Sequence, residues 1–457
     1  MRKRNYSSLV RQQEPSIVRA SQPTTKPPAF AHEHTGSIAT EHFTQAVQRT
    51  DSFSCLSCLS WTTLLPSPFF RSHAMKADVT IVGCGLAGCT LAERLATEYG
   101  LHCLIIEKRK HVAGNCFDAH DRHGVLLHEY GPHYFRTNSD KVRDYLSRFT
   151  GWRPADYRIL SFTHGKYFSF PINLTTFEQI IGHPSTQEEM EEYLKAKRVP
   201  IANPANAEEA VLSQVGHEMY EMFFKGYTQK QWNRDPRELD ASVCRRIPIR
   251  TYRDERYFDD KFQAIPDAGY TRMVERIINH PKIQVLLGAD AAEVLPQLET
   301  RHLFYTGPID TFYSHRFGRL PYRSLRFERD TYQVEYHQPA VQVNYPNEHR
   351  YTRTVEVKHV TGQNIPVTTV LREYPEEYNG TNEPYYPILT EATRDTYRQY
   401  AAAAEKEERI TFVGRLGTYQ YYNMDQVVAQ ALQTFEKTKE KIVGQAPTRY
   451  LDWKRVV

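Results

Sequence analysis

The alternation of apolar and polar positions changes period several times along this chain. Residues 1–74 sustain neither a helical nor a strand period, and the prolines of "SQPTTKPPAF" and "LLPSPFF" break whatever begins. Asp78 to Val82, "DVTIV", is the first core-like run and predicts a buried strand; "CTLAERLATEYG" follows with apolar residues at helical spacing, and "LHCLIIEKR" predicts a second strand ending at Glu107. Residues 174–232 hold two helical patterns, "TTFEQIIG" and "EEAVLSQVGHEMYEMFFKGYTQKQW", joined by a charged stretch. Residues 304–390 turn to Tyr-, Val- and Thr-rich runs, "YQVEYHQPAVQVNY" and "RTVEVKHV", which predict antiparallel strands. Near the C-terminus "RITFVGRLGTYQYYNMDQVVAQALQTF" repeats the strand, glycine turn and helix of the beginning.

Composition changes this picture in three places. The 457 residues allow two or three domains. The formal charge of +4 lies wholly in residues 1–75, which hold eight Lys/Arg against four acids, while residues 76–457 carry 50 of each. A neutral body argues against a nucleic-acid partner and for a small anionic ligand met by local arginines. Seven irregularly spaced cysteines argue against a disulfide framework, and Cys55 and Cys58 form a C-x-x-C with no second Cys/His pair nearby, so no metal is expected. No apolar run approaches the roughly 18 residues that span a bilayer. Met75 directly before the first core strand favours a start assigned too far upstream over a transit-type tail, and predicts a disordered, dispensable extension over 1–75.

The first strand runs into Gly83-x-Gly85-x-x-Gly88, which opens the helix. The first glycine permits a tight turn, the second lets backbone approach a pyrophosphate, and the third lets helix pack on strand. Glu107, 24 residues after Gly83, ends the second strand where a carboxylate accepts from ribose hydroxyls. Lys108 and Arg109 follow it, then a turn at Gly114-Asn115, a combination characteristic of FAD proteins of the glutathione-reductase and amine-oxidase type. Bound FAD is therefore expected, with Arg415 and Met424 of the late segment returning to it. The expected fold class is α/β: a disordered extension 1–75, a discontinuous FAD-binding Rossmann-like domain (76–150, 270–303, 405–445), a helical insertion domain (174–245), and an antiparallel β-sheet domain (151–173, 246–269, 304–404).

"CRRIPIRTYRDERYF" at 244–258 interleaves five arginines with Ile, Pro, Tyr and Phe, as a waiting anion site would. With "EYGPHYFRTN", "FPINLTTF", "KGYTQKQWNRDPREL", "GYTRMVE", "YTGPID", "YRSLRFE", "EPYYP" and "GRLGTYQYYNMDQV" it occurs in the order and spacing of UDP-galactopyranose mutases, which the chain resembles over residues 76–440. The resemblance implies a cytoplasmic isomerase that interconverts UDP-galactopyranose and UDP-galactofuranose through a reduced-flavin N5-sugar adduct without net redox. It would supply galactofuranose to cell-surface glycans, draw electrons from NAD(P)H or a reductase, and form a homodimer.

By the same resemblance Arg246 lies on a mobile loop closing over the diphosphate and Arg323 meets that diphosphate from the sheet. Arg245, Arg250, Arg253 and Arg256 read as surface or structural cations. Tyr257, Tyr351, Tyr386 and Tyr421 would donate hydroxyls to the phosphates, Phe223, Tyr227, Thr228 and Trp232 would form the uridine pocket, Asn173 would face the sugar, and His133 the flavin ring. The chain departs from many members at Arg136, where a second histidine is common, at Asn423 for an aspartate, and at Ala113 for the first of two glycines. Two other readings share the dinucleotide motif: an oxidase or desaturase of the amine-oxidase type, and a non-catalytic UDP-sugar binder.

Overall fold

The computed structural model describes residues 75–449; the expected extension and its Cys55 and Cys58 lie outside the described residues. Five parallel strands form the sheet that places the glycine turn. In spatial order they are Ile283–Leu287, Cys103–Glu107, Val79–Val82, His302–Tyr305 and Ile410–Phe412. The strand order reverses on either side of Val79–Val82, so a crevice opens at its carboxyl end, where parallel α/β sheets take ligands. Helix Leu86–Tyr99 packs on the 20-residue helix Met424–Val443 over one face, sharing a core with Ile81, Ile105 and Phe304. The arrangement is Rossmann-like, as the glycine spacing predicts.

A seven-stranded sheet runs in the order Tyr386–Pro387, Tyr322–Tyr332, Thr368–Glu377, Arg353–Val355, Gln342–Asn344, Ile159–Thr163 and Lys166–Phe170. All its pairs are antiparallel except Gln342–Asn344 with Ile159–Thr163. Two runs end earlier than their composition suggests. "YQVEYHQPAVQVNY" leaves the ladder after Tyr332, and "RTVEVKHV" after Val355, because buried Glu356 accepts from the backbone of His337 and Gln338 and from the Thr368 hydroxyl. Residues 262–266, grouped with this sheet on sequence, instead form a separate three-stranded sheet with Phe135–Thr137 and Trp152–Pro154.

The helices between residues 174 and 245 pack on the strand end around Phe168, Phe170 and Phe177. The charged stretch is itself the helix Gln187–Lys197, with Thr186 and Glu189 forming a reciprocal cap. The long second pattern divides into Ala207–Tyr220, a π-helical turn over Glu221–Lys225, and Gly226–Trp232. Gly216 adopts φ +76° within the first of these, and a Cβ there would sit 2.2 Å from the Lys197 carbonyl oxygen, so close helix crossing demands glycine.

The glycine turn makes a stability prediction. A Cβ on Gly88 would lie 2.1 Å from the Gly83 carbonyl oxygen, whereas one on Gly444, at φ −75°, would meet its nearest atoms at an ordinary 3.8 Å. Gly88→Ala is expected to cost about 1–3 kcal/mol, the range for overpacking, or more, because the opposing atom is backbone. A urea melt in which Gly88→Ala matches the wild type would contradict this, with Gly444→Ala as the comparison.

Candidate active site

The glycines of the two turns are packed against their neighbours. Gly83 has φ +103° and leaves no room beside the Thr306 hydroxyl, and a Cβ on Gly114 would lie 2.9 Å from Gly85 Cα. Two chain turns thus meet back to back and line a groove of about 500 Å³. Gly83, Gly85, Glu107, Lys108, Arg109, Gly114, Asn115, Arg415, Met424 and His133 line it, while Gly88 lies behind as a packing contact. The Glu107 carboxylate accepts from the backbone N–H groups of Cys84 (2.8 Å) and Arg109 (2.9 Å), which fixes it at the groove rim.

Arg109 donates to Asn115 and pairs with Glu383 at 2.7 Å, and Lys108 pairs with the same carboxylate at 3.1 Å. Arg109 Nε is buried without a partner and borders the groove. An orphaned donor, backbone packed too closely for any Cβ, and a carboxylate at the second strand end together fit a dinucleotide. Glu383, which ties both cations to the loop over the groove, opens the "EPYYP" motif, but its pairing with Lys108 and Arg109 is visible only in the fold.

A second cavity of about 480 Å³ shares Asn115, His133, Tyr385, Arg415 and Met424 with the groove. Tyr227, Thr228, Trp232, Arg246, Tyr257, Tyr386 and Tyr421 all line it. The Arg246 guanidinium lies 4.8 Å over the Tyr421 ring and Arg415 5.4 Å over the same ring, and Tyr386 stacks on Tyr421 at 5.4 Å. Arg415 donates to the carbonyls of Tyr422 and Tyr385 and Arg246 to that of Val243; among the described residues neither pairs with a carboxylate. Burial alone would raise the Tyr421 pKa, but Arg246 and then Arg415 outweigh it and hold the phenol below the ordinary tyrosine value.

Four expected residues lie elsewhere. Arg323 is buried under the cavity wall, its guanidinium committed to Glu377 at 2.6 Å and to the Gln231 carbonyl at 3.0 Å. Arg353 occupies the cavity instead, paired at 2.7 Å with fully buried Glu373. Phe223, turned inward by the π-helical turn, packs against Phe168 and Phe170 in the core. Tyr351 stacks on His349 in the loop before the Arg353 strand, outside the cavity. Asn173 caps helix Leu174–Ile181, and its amide is spent on Thr175, Thr176, Ser169 and the Pro171 carbonyl. Gln342 and Asn344, from the strand opposite Arg353, are among the amides that line the cavity. Of the remaining arginines, Arg250 holds the 254–259 loop through two carbonyls and Asp259, Arg253 pairs with Glu178, and Arg256 with Asp254.

Arg136, at the position of the second histidine, also lines the cavity, paired with Asp260 at 2.6 Å and lying 3.9 Å over Phe258. His133 Nδ1 lies 2.8 Å from the Gly131 carbonyl oxygen, which can only accept, so the proton sits on Nδ1 and Nε2 is the acceptor. Burial, followed by neighbouring His128, lowers the His133 pKa to about 3, and burial lowers that of His128 to about 4. Among the described residues no cluster of three or more His, Cys, Asp or Glu could hold a metal, and no helix is long and apolar enough to cross a membrane.

Comparison with known proteins agrees with this geometry. A family model described as UDP-galactopyranose mutase matches residues 222–421, and one described as an NAD(P)-binding Rossmann-like domain matches residues 81–149. A probable UDP-galactopyranose mutase of Klebsiella pneumoniae is 39% identical over 374 residues, 80% of this chain and 96% of that protein. A dTDP-fucopyranose mutase of Escherichia coli is 35% identical over 78% of this chain and 96% of its own. The crystal structure of a reduced UDP-galactopyranose mutase has the same fold, with a TM-score of 0.62 at 16% identity over 83% of this chain and 97% of that one. Sequence identity of this extent, on a shared fold, establishes that the chain belongs to the UDP-galactopyranose mutase family.

Proposed function

We propose that this protein interconverts UDP-galactopyranose and UDP-galactofuranose with FAD held in its reduced form in the groove. The observation that carries the proposal is the convergence of Arg246, Arg353 and Arg415 around Tyr421 with Glu373 as the single paired carboxylate, in a cavity continuous with a dinucleotide groove. Surplus guanidinium charge in a half-enclosed pocket suits a diphosphate, whose oxygens each fork can hold in pairs. When bound, reduced FAD supplies the nucleophilic atom for covalent catalysis with no net electron flow. An NAD(P)H-fed reduction step, a cytoplasmic location, a homodimer and a product destined for surface glycans accompany this reading.

The side chains then divide the work. Trp232 and Tyr227 take the base and Thr228 its polar edge. Arg246 and Arg353 stabilise the charge that develops on the departing diphosphate, assisted by the hydroxyls of Tyr257, Tyr386 and Tyr421. Arg246 follows the short helix Ser242–Arg245, and movement of that segment over the cavity would exclude water. Arg415 bridges the two cavities. His133, neutral, offers Nε2 as an acceptor at their junction.

Three outcomes are expected. Dithionite-reduced protein incubated anaerobically with UDP-galactofuranose yields UDP-galactopyranose by anion-exchange chromatography, and unreduced protein does not; oxygen consumption with substrate would favour the oxidase reading, and faster turnover of dTDP-fucopyranose would reassign the sugar. Arg353→Ala loses about 10²–10³-fold in turnover, the scale for removing one donor from a developing anion, and Arg246→Ala loses turnover beyond its loss of UDP affinity. Near-normal kcat in both would remove the guanidiniums from catalysis.

The third concerns acid. Both imidazoles titrate below the unfolded value of about 6.5, so as pH falls below 6.5 the unfolded chain binds protons that the folded one refuses. Stability is therefore lost from pH 6.5 toward about 4, at about 1.4 kcal/mol per pH unit for each histidine. His128→Asn, whose amide oxygen replaces the Nδ1 acceptor, should flatten the fall in urea midpoint between pH 7 and 5; an unchanged slope would refute the assignment.

A further inference from the structure

Two amides on the cavity wall have an orientation that the surrounding hydrogen bonds decide. Gln342 and Asn344 stand two residues apart on one strand and so share a face, and Asn344 lies opposite Arg353 in the ladder. They are 3% and 6% exposed, and both line the second cavity. A buried amide is ambiguous until a neighbour of fixed polarity settles which end is oxygen.

Tyr157 is that neighbour. Burial raises its pKa, so the phenol stays protonated and needs an acceptor, and Gln342 Oε1 is its one hydrogen-bond partner among the described residues. With Oε1 taken, Gln342 Nε2 donates at 2.7 Å to Asn344 Oδ1. Asn344 Nδ2 is left with N–H groups that no described residue accepts, on a strand position opposite Arg353 in the ladder.

We propose that Tyr157 and Gln342 are positioning residues that lock Asn344 as a hydrogen-bond donor to an acceptor oxygen, phosphoryl or sugar, of the bound nucleotide sugar. Polarity runs one way along the relay: phenol to glutamine, glutamine to asparagine, asparagine to ligand. A reversed Asn344 would turn an oxygen lone pair toward the ligand oxygen, leaving both unpaired, which sites built on hydrogen bonds reject strongly. The nature of the ligand rests on the function proposed above; the direction of the relay does not.

The test measures affinity of the FAD-loaded protein for UDP and for UDP-galactopyranose by calorimetry, with melting temperature as the control for folding. Gln342→Glu offers only acceptors, turns Asn344 Nδ2 back on itself, and is expected to weaken binding more than tenfold. Tyr157→Phe keeps the ring and frees the glutamine, for an expected loss of about fivefold. In an Asn344→Ala background the same Tyr157→Phe change should cost less than twofold, because its effect passes through Asn344 alone. An equal loss in both backgrounds, or wild-type affinity in Gln342→Glu, would overturn the relay. Losses shared by UDP and the sugar nucleotide assign the oxygen to the diphosphate, and losses confined to the sugar nucleotide assign it to the sugar. Wild-type protein that binds UDP without turning over UDP-galactofuranose would remove the mutase reading and leave the relay standing; wild-type protein that binds neither nucleotide would overturn both.

Discussion

The surplus of positive charge around Tyr421 is the constraint on which the site depends. Arg246 comes from the segment after a four-residue helix, Arg353 from the start of a strand, and Arg415 from the turn after the last parallel strand. Like charges repel, and their convergence in the protein is tolerated because Arg415 and Arg246 are held by carbonyl oxygens and aromatic faces, while Arg353 alone is paired with an acid, the buried Glu373 carboxylate. The depressed Tyr421 phenol records the same imbalance. An anionic ligand would relieve it.

That charge is useful only because two cavities share a wall. The groove arises where strand order reverses beside Val79–Val82, and the second cavity where the helices from residues 207 to 245 face the seven-stranded sheet. His133, Arg415 and Met424 stand at their junction, on segments far apart in sequence. Tyr270, at the start of its helix, supports His133 from beneath by donating to its carbonyl, and Asp118 caps that helix in turn. The neutral imidazole is thus held by backbone geometry, not by a charge partner.

Motif proximity proved a weaker guide than register. Arg323 and Arg353 both follow a tyrosine within two residues, yet the first meets Glu377 below the wall and the second opens into the cavity opposite Asn344. Phe223 sits in the same helical block as Tyr227, Thr228 and Trp232, but the π-helical turn rotates it into the core. Asn173 has the composition of a ligand contact and is spent as a helix cap. In each case the sequence names a polar or aromatic side chain, and its direction depends on neighbours dozens or hundreds of residues away.

By itself the sequence determined what local chemistry and spacing control. The glycine turn, the carboxylate at the end of the second strand, the helical insertion and the late returning segment were legible because φ, capping and period are short-range properties. Arg246, Tyr386 and Tyr421 were legible as members of ordered motifs. Tertiary structure alone decided that Arg353 faces the cavity, that Glu383 clamps Lys108 and Arg109, and that Tyr157, Gln342 and Asn344 form one polarised chain. These depend on strand register and on loops closing across distant segments, and a pattern read along one chain carries no information about which face of a neighbour it will meet.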